Sequence, residues 1–553
     1  MKLINLKHLQ LATVALVLSI IPANIHARES VPTPPGQYAH FFAGGSGTPD
    51  DPYLITTAEH FNNLRHAHAE FFDSDTLVYY RLENDIDIAT FSFETWGKMG
   101  WEPLPGFCSK LDGNGHQVTG LWINWTDYWD KQGKDYAGLF LAIGHGGEIR
   151  NLGVVTDHAR GGVKGCRFVG GLAGSISNGR VLNCHVTGEI AGYGFFLNNV
   201  VGGLAGKASS NCIITGCSVH GNVGLVPIIY EGDTIGGGIV GGLVGEVTGA
   251  RRMNEVIFDP ITGNPSEVFD EEFFLFGKVT ITKCYTACNI NTPFSSGLKG
   301  GLVGILGDGA EIIDCYATGD VFGFGSTIGG LVGEAYGITA ITNCYASGSI
   351  GHESLTHWES PVVGRLRLKP VTDLPELLAP VSRITIANCY FRQDPGGINS
   401  WMPYGHYDFT WLIEWNKEEW GIDYLPGIYE GEGVGRTTAA MQTQAAFPGF
   451  DFETVWAMDE GSGFPYLRST YETSTRSGGD PQSIPEEKNS RSVYGTTGAI
   501  VIQTDTPVTV RIYTTTGQLV RVASVGAGVG QIPVAKGFYI VSAGNGSYKV
   551  AAD

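Results

Sequence analysis

Six cysteines recur at one place in a repeated pattern: Cys184, Cys217, Cys284, Cys315, Cys344 and Cys389. Each opens or closely follows a short motif, in order NCHVTGEI, GCSVHGNV, KCYTACNI, DCYATGDV, NCYASGSI and NCYF. Thiols at regular spacing could pair as disulfides or ligate zinc. Zinc needs paired cysteines a few residues apart, and only Cys284 with Cys288 comes near, with no second half. Disulfide frameworks belong to small, loop-rich chains, whereas this pattern is a periodic small apolar residue. The spacing therefore predicts an inward-facing stack of reduced cysteines filling a narrow core. Bridging between neighbouring coils is the lesser alternative, since adjacent strands approach disulfide distance. No metal or cofactor is expected.

Other chemistry-bearing residues are sparse. His66 and Glu70 share one face of a predicted helix, but with no third ligand they read as helix polarity. No HExxH, GxSxG or P-loop motif occurs. Asp308, Asp314 and Asp320 lie within one repeat. Two or three carboxylates converging on one coil would suit a glycoside hydrolase or a polysaccharide lyase. Alternation and turn spacing instead make these aspartates solvated corner residues, so no catalytic residue is assigned.

The elements that hold these positions are written five times. GGLAG begins at Gly170 and Gly202, and GGLVG at Gly241, Gly300 and Gly329. From the first glycine to the paired cysteine is 14 or 15 residues in four copies and 43 in the third. Recurrence of this kind marks a quasi-one-dimensional array in which one unit cannot bury its own apolar face. Valine and leucine alternate with small residues around each phrase, which is strand patterning. The paired glycines (Gly170 and Gly171, Gly202 and Gly203, Gly241 and Gly242, Gly300 and Gly301, Gly329 and Gly330) form corners where a side chain would strike the coil above. The predicted fold is all-β: a right-handed parallel β-helix, its hand following the general preference of parallel crossovers.

Domain boundaries follow composition. Residues 1–27, a basic start and a short apolar run ending near Ala27, read as a signal peptide of an exported chain. With the first cysteine at Cys108, a lipid anchor on an N-terminal cysteine is not expected. Residues 28–43 form an extended lead-in. Residues 44–160 hold the first coils and a capping helix from about Ala58 to Phe72, which covers the open end of the stack. The degenerate first copy places leucine where later copies place cysteine. Residues 161–400 carry the repeats, interrupted by Arg251–Leu275 and Gly351–Val381, insertions expected as loops on one face. The aromatic stretch 401–467 is read as a cap over the last coil, with a carbohydrate-stacking platform as the alternative. Residues 468–492 form a Ser/Thr/Gly/Pro linker, and 493–553 a small β-sandwich.

The 553 residues include 80 glycines, with no collagen period, and 55 acidic against 35 basic residues. Such a surface repels nucleic acid, which is excluded as a partner.

The GGLVG phrase followed by DCYATG or NCYASG resembles the GLUG repeat of bacterial surface, adhesin-like proteins, some relatives of which sit beside secreted peptidases. YRLENDIDI and LDGNGHQVTGL resemble the usual lead-in of those proteins, so the resemblance runs from Gly44 to Leu467. The tail PVTVRIYTTTGQLV…GFYIVSAGNGSYKV resembles C-terminal sorting domains of type IX secretion in gram-negative bacteria. Together these imply an exported, non-catalytic surface rod. Its loops would meet a host surface, a protein partner or a glycan ligand, and its tail would engage the secretion machinery. A carbohydrate-active enzyme and a structural envelope component are the competing readings, and the resemblance carries no catalytic residues.

Overall fold

A computed structural model describes residues 39–69, 77–126, 134–193, 199–226, 228–230, 233–235, 237–251, 257–258, 265–266, 275–292, 296–323, 326–352, 359–367, 383–394, 428–431, 433–468, 492–496, 499–504, 507–514, 519–543 and 546–552. The signal-peptide expectation, the His66 and Glu70 side chains and the aromatic run 401–427 lie outside the described residues.

The chain winds through four long parallel sheets, here I to IV, of 11, 14, 7 and 7 strands. One turn illustrates the path: Arg180–Leu182 in sheet I, His185–Tyr193 in II, Val200–Gly202 in III and Ala205–Ser209 in IV. Cys212–Thr215 then returns to sheet I, directly beside Arg180–Leu182. The protein is a parallel β-helix. Each strand pairs with its counterpart one coil away, so like residues stack at about 4.8 Å per coil. Isoleucine repeats for this reason: Ile214, Ile281, Ile312, Ile341 and Ile386 form one buried column of sheet I. A one-residue slip would turn that whole column outward, so the pattern fixes the register. In sheet II the column runs Val186, Val219, Thr286, Ala317 and Ala346. Thr286 is fully buried there, and its hydroxyl donates to Gly301 O at 2.7 Å. That bond offsets the cost of placing a hydroxyl among apolar neighbours.

The first coils are closed by a helix over Ala58–Ala69. Thr57 Oγ1 accepts from His60 N at 3.1 Å, a capping bond at its start. Phe61 and Leu64 are buried in the core, with Phe61 6.0 Å from Trp101 and 6.2 Å from Phe140 between ring centroids. A second helix, Ala89–Trp96, has no counterpart in the sequence reading. Asp87 Oδ1 accepts from Ala89 N at 2.9 Å as this helix begins.

One expectation is corrected. Gly351–Val381 is not simply an insertion: Glu359–Ser360 extends sheet III and Val363–Arg367 extends sheet IV. Ser360-Pro-Val-Val-Gly364 thus stands where the glycine phrase stands in other coils, a degenerate further copy hidden by its serine and proline. Arg251–Leu275 departs through a short antiparallel stem, Ala250–Arg251 with Leu275–Phe276. Within the C-terminal module, Ile428–Glu430 and Gly433–Arg436 extend sheets I and II beyond the coil of Cys389, and residues 437–468 pack sideways on the outer surface of sheet II.

Residues 472–553 form a second compact unit. It holds a three-stranded and a four-stranded antiparallel sheet. Ile500, Ile502, Val510, Ile512 and Val541 form its core.

Candidate functional site

The six predicted cysteines all lie in the core, and successive ones occupy one column at the turn from sheet I to sheet II. Cys217 N donates to Cys284 Sγ and Cys284 N to Cys315 Sγ, both at 3.4 Å. Each thiol donates to the carbonyl two residues before it, as Cys315 does to Ile313 O at 3.1 Å and Cys344 to Thr342 O at 3.1 Å. Burial raises the thiols of Cys184, Cys217, Cys284, Cys315 and Cys344 well above the ordinary cysteine range. These six side chains are free thiols. The column suits cysteine because the space is small, apolar and faces a carbonyl that a weak donor can use. Leu152 fills the same place one coil earlier, since His185 N bonds to its carbonyl. Cys288 lies apart, 3.7 Å from Gly242 O. Among the described residues no group of three or more His, Cys, Asp or Glu side chains is arranged to hold a metal.

The corner glycines meet backbone on two sides. A Cβ on Gly241 would lie 1.9 Å from Val244 O within its own coil, and one on Gly242 would lie 2.0 Å from Gly301 O in the next. The corresponding positions of the other four phrases are comparably tight. The closing glycine of each phrase has its own reason. Gly304 faces Ile239 and Val240, where an added Cβ would come within 2.6 Å of Ile239 Cγ2. Between stacked coils of these five phrases the turn from sheet III to sheet IV has room only for hydrogen, whereas the later copy at Ser360-Pro361 makes the same turn without the two glycines.

Two further columns escaped the sequence reading. The residue before each cysteine has a left-handed backbone: Asn183, Lys283, Asp314, Asn343 and Asn388 all have φ between 51 and 54°. Asparagine and aspartate tolerate that conformation better than most residues. Asn388 Nδ2 donates to Asn343 Oδ1 at 3.0 Å, and Asn343 Nδ2 to Asp314 Oδ1 at 3.2 Å, tying successive corners together. The residue after each of the column's last four cysteines is a tyrosine: Tyr285, Tyr316, Tyr345 and Tyr390. Tyr285 and Tyr316 stack at 4.9 Å, and Tyr316 and Tyr345 at 5.0 Å, with interplanar angles of 8 and 4°. The signals were present as the N/D-C-Y triplets.

The C-terminal module covers this tyrosine ladder. Trp456, Phe447 and Phe450 join Tyr316, Tyr345 and Tyr390 in one buried cluster. Tyr390 Oη donates to Pro448 O at 2.6 Å, and Trp456 Nε1 to Asp314 Oδ1 at 3.3 Å. At the other end of the ladder, Tyr285 Oη lies 3.2 Å from His220 Nε2.

The three aspartates do not converge. Asp308 Oδ1 accepts from Ile338 N at 3.0 Å, Asp314 from Asn343 and Trp456, and Asp320 Oδ1 from Ser349 N at 2.7 Å. Each carboxylate is bonded to the following coil at a separate corner.

A groove of ≈ 350 Å³ lies on the outer face of sheet I. Two neighbouring outward columns form it. One reads Lys278, Gly309, Ile338, Arg383, immediately before or within paired strands; the other reads Glu311, Ala340, Thr385. Gly309 leaves a gap between Lys278 and Ile338, and that gap is the depression. Ile338 is 43% exposed, and Lys278 Nζ is 2.8 Å from Glu311 Oε2. Gly277 and Lys278 directly follow the stem of the Arg251–Leu275 insertion, so the loop departs beside the groove.

Residues 296–321 and 324–351 match the family profile described as the GLUG motif. Over 326 residues the chain is 31% identical to halomucin of Haloquadratum walsbyi, covering 52% of this chain and 3% of that protein. Over 139 residues it is 37% identical to a Gly-rich membrane protein of Evansella cellulosilytica, covering 24% of this chain and 14% of that one. The chain therefore spans only a small part of the length of either relative. A solved structure described as an immunoglobulin A1 protease from Bacteroides ovatus aligns at 17% identity with a TM-score of 0.37. That alignment covers 78% of this chain and 96% of the other. Residues 296–351 therefore carry two GLUG motifs, and the chain is similar in sequence to halomucin and to a Gly-rich membrane protein. No helix among the described residues is long and apolar enough to cross a membrane.

Proposed function

We propose that this protein is an exported, non-catalytic, adhesin-like surface protein whose β-solenoid presents loops and outer faces to a ligand. The observation that carries the reading is how the polar side chains of the repeats are used. Asp308, Asp314 and Asp320 bond successive coils together, and the thiols of the column are buried. These groups hold a scaffold; they do not face a common point where a substrate would react. Similarity to halomucin and to a Gly-rich membrane protein supports a surface location. The same reading takes residues 1–27 as a leader and the 493–553 β-sandwich as a type IX sorting signal.

Glycan-array and cell-binding measurements on the purified full chain test the first part. Saturable binding without turnover is the expected result, and cleavage of a bound polysaccharide would replace this reading with the enzymatic one. Deleting 493–553 tests the second part. Surface labelling should be lost while the rod stays folded, and undiminished labelling would remove the sorting role.

A further inference from the structure

We propose that the groove over Lys278, Ile338 and Arg383 is a binding site for a carboxylated sugar, one residue of an acidic glycan lying along the solenoid axis. This rests on the ligand-presenting reading above and names the chemistry of its ligand.

Four observations on the outer face of sheet I carry the assignment. The groove volume, ≈ 350 Å³, lies at the small end of the range for small-molecule sites. Its floor combines an exposed apolar side chain, Ile338, with Ala340 and the bare backbone of Gly309. That surface matches the apolar face of a pyranose ring. The hydroxyl of Thr385 lies on the adjoining outward column, where ring hydroxyls would need a partner. The charges are the fourth observation. Arg383 is exposed, and its guanidinium makes no ion pair or hydrogen bond among the described residues. Arg383 N donates to Gly337 O at 3.0 Å, a bond of the backbone alone. A guanidinium fork unspent on the protein is suited to bidentate carboxylate binding. Lys278 stands three coils away in the same column, roughly 14 Å at ~4.8 Å per coil. The lining carries two cations and one carboxylate, Glu311, so the groove keeps a net positive charge on a chain of net charge −20. Glu311 holds Lys278 at the near end, which leaves Arg383 as the anchoring charge.

A sugar carboxylate can come from a uronic acid or from a nonulosonic acid such as sialic acid, and the two share this chemistry. An acidic peptide would satisfy Arg383 but would not use the apolar floor of Ile338 and Ala340.

The experiment measures binding of the full chain to oligogalacturonate, to sialyllactose, to neutral maltohexaose and to hexaglutamate by calorimetry at low and physiological salt. Oligogalacturonate or sialyllactose should bind, maltohexaose at least tenfold more weakly, and hexaglutamate more weakly than the sugar acid. Which acid binds identifies the source. Arg383→Ala should weaken the acidic sugar by about tenfold or more, the loss of a charged bidentate contact, and Arg383→Lys should recover part of it. Ile338→Asp should abolish binding by repelling the carboxylate and removing the floor. Both sites are on the surface, so unchanged circular-dichroism melts are expected. Unaltered affinity in Arg383→Ala, or equal affinity for maltohexaose, would overturn the groove assignment while leaving the adhesin reading intact. Tighter hexaglutamate binding would replace the sugar with a peptide. If the full chain binds neither these sugars nor any glycan or cell surface, the broader reading fails and this one with it.

Discussion

Tyr345 and Pro465 meet across 120 residues of sequence: the phenol of Tyr345 donates to the carbonyl of Pro465 at 2.6 Å, fully out of solvent. Through this bond, and those of Tyr390 and Trp456, the C-terminal module clamps the side of the stack at several coils. The ends of a solenoid need caps; residues 437–468 serve a flank, because Tyr285, Tyr316, Tyr345 and Tyr390 leave an apolar ridge outside the coil. Tyr345→Phe should lower unfolding free energy by about 1–3 kcal/mol, the cost of leaving a buried carbonyl unpaired. Urea melts measure it, and a change within error would show that water replaces the phenol.

The thiol column gives a kinetic expectation. With five of the six thiols protonated far above neutral pH and shielded from solvent, a thiol reagent at pH 8 should modify the native column very slowly and the urea-unfolded chain rapidly. Rapid labelling of the native protein, located by mass spectrometry to Cys284 or Cys315, would contradict the buried column.

Gly242→Ala places a methyl 2.0 Å from Gly301 O in the next coil. Gly242 N is bonded to Gly300 O, Gly301 N to Gly329 O, and Gly301 O accepts from Thr286 Oγ1, so neither residue can move alone. A loss of about 3 kcal/mol or more is expected, well above that of an ordinary surface substitution. Gly463→Ala, where nothing lies within 4 Å, is the control and should be near neutral.

Leu302 is fully buried where sheets III and IV turn. Leu302→Asp should prevent folding, because an unpaired charge would sit inside the coil. A soluble variant with an unchanged melt would place Leu302 outside.

Lys299 gives a pH dependence. It occupies an inward column of sheet III between Val240 and Ile328, and burial lowers its amine to about 7. The unfolded chain holds that proton up to about pH 10.5. Between those values the unfolded state binds more protons, so stability should rise with pH, and the penalty is full below pH 7. The amplitude is on the order of a few kcal/mol. Lys299→Met should raise stability at pH 6 and remove the rise between pH 7 and 10, read from urea midpoints at a series of pH values.

Much of the rod was legible in order along the chain. A strand presents alternate residues to one face, and identical coils stack like on like, so GGLVG and the cysteine motif each predict a column without reference to anything distant. The close approach at Gly241 and Gly242 follows from the same local logic. The degenerate copy at Ser360–Gly364 was missed because its first two glycines are gone and only the pairing of Glu359–Ser360 with Ile328–Gly329 reveals it.

What repetition cannot encode is how a non-repeating segment returns. The sequence alone determined the repeat, its apolar interior and the inward cysteines, because these depend on neighbours one coil apart. Tertiary structure alone decided that residues 437–468 lie on the tyrosine ridge, that Asp314 receives Trp456, and that Lys278 and Arg383 share a groove. Those contacts join residues between about 60 and 140 positions apart whose meeting depends on surface shape and on the number of intervening coils, and no local pattern carries that information.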